Sequence, residues 1–207
     1  MNPWQRLDDL YADRPPWEIG HPQPAFLGLA RSGAIRGRVL DVGCGTGEHV
    51  LMCADMGLDA TGLDLAATAL RTAEDKARRR GAAVRFLHHD ARRLADLGEQ
   101  FDTVLDCGLF HMLDPADRAA YVAALNAVLR PGGRYFMLCF SDREPGGHAA
   151  GGPYRLTRDD ITSTFASMLR IDSLERDTIE FTLGLQGIRA WLAAMTKAPS
   201  GRPLTMS

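Results

Sequence analysis

The chain has 207 residues, 24% charged and 45% hydrophobic, with a net charge of −2. That balance suits one globular domain with a sizeable core and disfavours a dedicated nucleic-acid binder, which carries a basic excess. No apolar run reaches the length of a membrane span, no signal-peptide pattern opens the chain, and Cys44, Cys53, Cys107 and Cys139 lack CxxC spacing, so a cytoplasmic protein with reduced thiols is expected.

Residues 1–37 precede the first core strand. Trp4, Leu7, Leu10 and Tyr11 recur at helical spacing, which predicts a short amphipathic helix. Pro15, Pro16, Pro22 and Pro24 then forbid regular structure and stiffen the backbone around Trp17 and His21. Two readings fit: Trp17 anchors this segment on the core, or the segment is a lid over a ligand. Residues 25–35 read as a helix ending at Gly33.

The stretch from Val39 to Glu48 runs apolar residues straight into a glycine cluster, and a helical pattern to Asp55 follows. That is the order of a buried parallel strand, a tight turn and a helix whose N-terminus faces a ligand. Gly43, Gly45 and Gly47 remove Cβ atoms where the backbone turns or a ligand comes close. The dinucleotide fingerprint would place the third glycine one residue later, and here an acid, Asp41, sits inside the strand.

Ala60–Asp64 is the second strand, and Asp64 stands about twenty residues beyond the glycines, the spacing of an acid that accepts ribose hydroxyls. A helix from about Leu65 to Arg80 ends on three arginines and Gly81, a cationic C-terminus with a glycine cap. Val84–Asp90 is the third strand. His88, His89 and Asp90 alternate faces and so do not share a metal ion, and the pair His49 and Cys53 is too few for a metal site. Phe101–Asp106 is the fourth strand, followed by Cys107–His111. Asp114 and Pro115 open a helix as cap and first residue, and it runs to about Leu129, where Arg130–Gly133 breaks it. Arg134–Phe140 is the fifth strand. The glycine-rich loop from Ser141 to Leu156 is long enough to point to function. Thr157 and Asp160 form a capping-box pattern, Ile171–Arg176 and Ile188–Ala194 are the last strands, and residues 197–207 form a polar tail expected to be poorly ordered.

Strand–helix alternation over residues 38–140 requires a parallel sheet with helices on both faces, and such sheets bind ligands outside the carboxyl ends of their strands. The loop at 43–47, Asp64, Asp90 and residues 107–111 therefore converge on one edge.

Asp41-x-Gly43-x-Gly45-x-Gly47 resembles motif I of the class I S-adenosylmethionine-dependent methyltransferases, and Leu129–Gly133 resembles the Pro-Gly-Gly turn of that family before its fifth strand. The resemblance spans about residues 38–195. It implies an α/β fold: a doubly wound, Rossmann-like, mostly parallel seven-stranded sheet with helices on both faces and the last strand antiparallel. It divides the chain into an N-terminal lid (1–37), a methyltransferase domain (38–196) and a tail (197–207). It implies S-adenosyl-L-methionine as cofactor. Asp41, Gly43, Cys44, Gly45, Thr46 and Gly47 would pass beneath its methionine part, Asp64 and Leu65 meet the ribose, and Asp90 with Ala91 the adenine. Asp106 and Cys107 complete that side, and Trp17 stands near the sulfonium. Pro16–Gly20 followed by Pro22-Gln23-Pro24 resembles the lid of the thiopurine, halide/thiol and tellurite-resistance-type branch. That branch implies a small-molecule acceptor; the acceptor is expected to be aromatic or heteroaromatic, with O, N and S all open, no metal, nucleic-acid or membrane partner is expected, and a monomer or a homodimer fits equally.

Such a site needs chiefly to align acceptor, methyl and sulfur and to exclude water. His111, at the mouth of the site, is the candidate general base, with His21 of the lid second. Tyr11, Phe110, Met112 and Tyr154 are the candidate acceptor pocket. A nicotinamide oxidoreductase is disfavoured by the glycine spacing and Asp41. A nucleic-acid methyltransferase would show an Asn-Pro-Pro-aromatic motif where Asp106–Phe110 stands. A cofactor-binding protein without turnover is the remaining alternative.

Overall fold

The computed structural model describes residues 8–145, 153–182 and 187–199. Seven strands form one sheet: β1 (Arg38–Val42), β2 (Asp59–Asp64), β3 (Arg85–His88), β4 (Phe101–Cys107), β5 (Leu129–Phe140), β6 (Leu169–Ile179) and β7 (Ile188–Lys197). Their order is β3-β2-β1-β4-β5-β7-β6. β1 to β5 pair in parallel, and β7 runs antiparallel to both its neighbours. The order reverses between β1 and β4, which opens a crevice at their carboxyl ends.

Alternation along each strand sends side chains to two cores. Leu40, Val42, Val104, Tyr135 and Met137 pack on one face, and Val39, Leu105, Phe136 and Leu138 on the other. The first face is covered by α4 (Pro115–Val128) and α5 (Arg158–Phe165), and the second by α1 (Pro24–Arg31), α2 (Glu48–Asp55) and α3 (Ala67–Arg80). A helix thus fills each crossover between parallel strands from β1 to β5 except the link from β3 to β4, where a 3-10 turn over Ala91–Leu97 suffices.

Local chemistry explains most helix ends. α3 stops at Gly81, whose φ of 64° suits a residue without Cβ. Thr157 and Asp160 form the reciprocal capping box of α5. α4 starts with Pro115 at its first position, but the Asp114 side chain makes no cap bond; it accepts the Tyr154 hydroxyl at 2.5 Å instead. β5 begins five residues before its apolar core, taking in Pro131–Gly133, with a register shift against β4 between Phe101 and Thr103. β6 and β7 outrun their expected ends because they pair with each other along nearly their whole length. α1 ends two residues short of Gly33. In the N-terminal region residues 8–10 are helical, while Trp4 and Leu7 lie outside the described residues, as do residues 200–207 of the tail. Among the described residues no helix is long and apolar enough to cross a membrane.

Candidate active site

Leaving β1, the chain turns through Gly43, Gly45 and Gly47, all at positive φ. The turn is closed by the Cys44 amide donating to Leu63 O and the Gly47 amide donating to Cys44 O, both at 2.9 Å. Gly47 caps α2 at φ 84°, and a Cβ there would stand 2.9 Å from the Phe86 ring. Handedness and space both require glycine.

Asp64, at the end of β2, faces this turn. One carboxylate oxygen accepts the Gly45 amide at 2.8 Å, and the other accepts the Ala66 amide at 2.8 Å. Burial pushes its carboxyl up, and the backbone amides oppose that shift. The carboxylate still has acceptor capacity for hydroxyl donors beyond the amides that brace it. Leu65 follows, its carbonyl bonded to the His88 ring at 2.9 Å.

Asp41 is 1% exposed, and among the described residues neither of its oxygens accepts a hydrogen bond. The nearest cation former is His49 Nδ1 at 3.7 Å. His49 Nε2 accepts the Gln23 amide at 3.2 Å, so the proton of the neutral ring sits on Nδ1, toward Asp41. A buried carboxylate beneath a glycine turn, with no donor of its own, suits a site that receives a cationic ligand. The remaining acceptor capacity of Asp64 and the Cβ-free turn fit a nucleoside with vicinal hydroxyls.

The N-terminal segment closes over the turn. Tyr11 Oη lies 3.0 Å, and Glu18 Oε1 3.3 Å, from where a Cβ on Gly45 would be. Trp17 Nε1 donates to Tyr11 Oη at 3.2 Å, and their rings meet edge to face at 6.1 Å. Trp17 remains 38% exposed, so it caps the segment from outside. Burial pushes the Tyr11 phenol well up, and it stays protonated at neutral pH. Glu18 accepts the Thr46 hydroxyl, which itself accepts from Lys76 Nζ at 2.5 Å; Lys76 also pairs with Glu48 at 2.7 Å. The segment is held at its far side too. The Gln23 side chain bonds both backbone groups of Glu180, and Pro16 O accepts the Thr182 amide at 2.8 Å.

The remaining sequence candidates divide. Asp90 accepts the Arg92 amide and guanidinium, and Arg92 reaches on to Asp117; that cation holds the Asp90 carboxyl below its usual range. Ala91 beside it is buried. Asp106 is wholly buried. Tyr121 and Tyr135 donate to one of its oxygens at 2.7 and 2.9 Å, and the Leu109 and Phe110 amides donate to the other. Burial pushes its carboxyl up to about 6 against those bonds. Its acceptors are committed within the fold, which leaves it a poor cofactor contact. Burial also raises the thiols of Cys44 and Cys107, so neither is a ready nucleophile.

His111 is 5% exposed and stacked on Phe140 with centroids 4.1 Å apart. Its Nδ1 accepts the Phe140 amide at 3.0 Å, and burial drives its pKa down to about 3. A ring this weakly basic and this enclosed holds β5 to the turn over Phe110–Met112; it is poorly suited to take a substrate proton. His21 is exposed and points to Glu180, 3.5 Å away, outside the turn. Phe110 is fully buried against Tyr121 and Phe165, beneath the surface it was expected to line. Met112 is 46% exposed, and Tyr154 is half-buried with its amide donating to His111 O at 2.7 Å. Sequence reasoning missed Glu18, Gln23, His49 and Lys76. Glu18 and Gln23 stand in the proline-rich segment that drew attention for its tryptophan, but their partners are remote in sequence.

A cleft of about 510 Å³ lies away from all this, beside Arg143, Arg158, Arg176 and Trp191, while Tyr11 and Glu18 fill the space over the turn. Among the described residues no three His, Cys, Asp or Glu side chains gather to hold a metal ion.

Residues 39–133 match the family model described as a methyltransferase domain. The 2-heptyl-1-hydroxyquinolin-4(1H)-one methyltransferase of Mycobacteroides abscessus is 33% identical over 164 residues, 79% of this chain and 72% of that protein. The probable thiol methyltransferase 2 of Arabidopsis thaliana is 31% identical over 145 residues, 69% of this chain and 62% of its own. A structure solved in work on the conversion of a disulfide bond into a thioacetal group during echinomycin biosynthesis is 35% identical, with a TM-score of 0.86, covering 95% of this chain and 94% of the other.

Proposed function

The chain belongs to the class I S-adenosylmethionine-dependent methyltransferases, and we propose that it methylates a small acceptor, aromatic or heteroaromatic, on O, N or S. The observation that carries the siting is Asp64: a strand-end carboxylate at the glycine turn, braced by the Gly45 and Ala66 amides, with acceptor capacity left for hydroxyls. Asp64 takes the two ribose hydroxyls, and Leu65 packs beside them. Gly43, Cys44, Gly45, Thr46 and Gly47 run beneath the methionine part, with Asp41 as the buried anion below. Asp90 and Ala91 border the adenine. Trp17, Tyr11 and Glu18 cover the assembly and keep water from it.

S-adenosylmethionine supplies an electrophilic methyl carbon on a sulfonium, so the acceptor lone pair forms the new bond as the carbon–sulfur bond breaks and its electrons return to sulfur. The residues of the chain contribute position, worth on the order of 7–11 kcal/mol at best. The acceptor enters already deprotonated, or loses its proton to water, because His111 is neutral, enclosed and feebly basic.

The test is methyl transfer from labelled S-adenosylmethionine to 2-heptyl-1-hydroxyquinolin-4(1H)-one and to an alkyl thiol across pH 5–9. Transfer whose pH midpoint follows the acceptor, from one acceptor to the next, is expected. A midpoint fixed near 6.5 for both, abolished in His111→Gln, would restore an enzymic base. No transfer to any small acceptor, with cofactor bound, would leave a binding protein.

A further inference from the structure

Arg118, on the first turns of α4, is a cation the site above does not use. Its Nε donates to Leu113 O at 3.3 Å, closing the turn that carries Phe110–Met112. Its Cζ lies over two rings, 5.4 Å from the centroid of Phe110 and 5.0 Å from that of Tyr154. Nη2 is buried and donates to nothing, and among the described residues no carboxylate stands within ion-pair distance of the group. Asp117, its neighbour in sequence, pairs with Arg92, and Asp114, one helical turn earlier, is engaged by the Tyr154 hydroxyl.

The location is adjacent to the chemistry. Leu109, which opens the same turn, packs on the glycine loop, its Cβ 3.0 Å from where a Cβ on Gly43 would be. Met112 leaves that turn exposed, and Tyr154 is bonded to it through His111 O. A buried donor left unpaired is costly, and proteins seldom leave one without a partner. A guanidinium held over aromatic faces is also pre-organised to receive a planar anionic oxygen group edge-on.

Resting on the methyltransferase reading above, we propose that Arg118 is the docking group for an anionic oxygen of the acceptor, so that the enzyme selects acceptors that carry a carboxylate or an ionised hydroxyl beside an apolar ring. Tyr154, half-buried, is the movable cover: turning from Asp114, it opens Nη2 to the incoming oxygen. Met112 then offers apolar surface to the ring.

Calorimetry on the full chain loaded with S-adenosylhomocysteine tests this with two pairs of acceptors. One pair is 2-heptyl-1-hydroxyquinolin-4(1H)-one and the same quinolone without its hydroxyl; the other is 2-sulfanylbenzoate and its methyl ester. Wild type is expected to prefer the acid of at least one pair, and the preferred pair tells an ionised hydroxyl from a separate carboxylate. Arg118→Met should weaken binding of that acid roughly 30-fold or more and leave the neutral partner unchanged. Arg118→Gln, which keeps a donor to Leu113 O, should behave the same way, and Arg118→Lys should recover part of the loss. Equal weakening of acid and neutral partner would make Arg118 a packing element and overturn the inference. So would a wild type indifferent to charge, or one that binds neither pair. Failure to bind S-adenosylhomocysteine at all would instead remove the reading on which the inference rests.

Discussion

Asp41 and Asp106 stand on adjacent strands one step out of register, Asp106 paired with Val42 and Asp41 with Leu105. Both are buried, and both end strands at the crevice. Asp106 receives two tyrosine hydroxyls and two backbone amides; Asp41 receives nothing and only approaches His49. Burial alone therefore does not separate an acid committed within the fold from one left without donors. The inventory of donors does.

The largest effect should come from emptying the satisfied site. Asp106→Ala orphans four buried donors, and a loss of about 4 kcal/mol or more is expected, since each costs about 1–3 if not rescued by water. Denaturant unfolding with an unchanged slope measures it. A loss below about 1 kcal/mol would mean the tyrosines find other partners and the contrast with Asp41 is false.

Next comes the pH dependence of the same group. Its carboxyl is raised in the folded protein to about 6 from 3.8, so the folded state binds that proton more tightly. The stability this confers is complete below about pH 4 and is lost as pH rises through 6, on the order of 3 kcal/mol in all. Asp106→Asn should flatten that fall relative to wild type. An identical slope in the variant would place the proton elsewhere.

The smallest effect should come from the unsatisfied acid. Asp41→Asn breaks no hydrogen bond of the fold, so stability should not fall by more than about 1 kcal/mol. A collapse comparable to that of Asp106→Ala would show that Asp41 is held by an interaction within the fold.

The same comparison explains what the sequence could disclose. The glycine turn, Asp64 and the Gly81 and Thr157 caps were legible because their partners lie nearby or because backbone handedness demands the residue. Asp41 and Asp106 look alike as strand-end acids, and the residues that distinguish them, Tyr121 and Tyr135, arrive from α4 and β5, where periodicity marks them only as core. Phe110 and His111 follow a strand as pocket residues would, yet the turn folds them inward against Phe165 and Phe140. Glu18 and Thr46 are 28 positions apart, and no local pattern joins them. β5 starts at Leu129 only because Leu129 pairs with Phe101; Arg130–Gly133, which read as a break, have no partner on β4, and the ladder resumes at Arg134.

Titration of S-adenosylhomocysteine into wild type and Asp64→Ala by calorimetry tests the siting of the cofactor most directly. Wild type should bind one equivalent, and the variant should bind roughly 10- to 150-fold more weakly, the cost of a charged hydrogen bond to a ribose hydroxyl. Equal affinity in a folded variant would contradict it, and the ribose would have to be sought away from the end of β2.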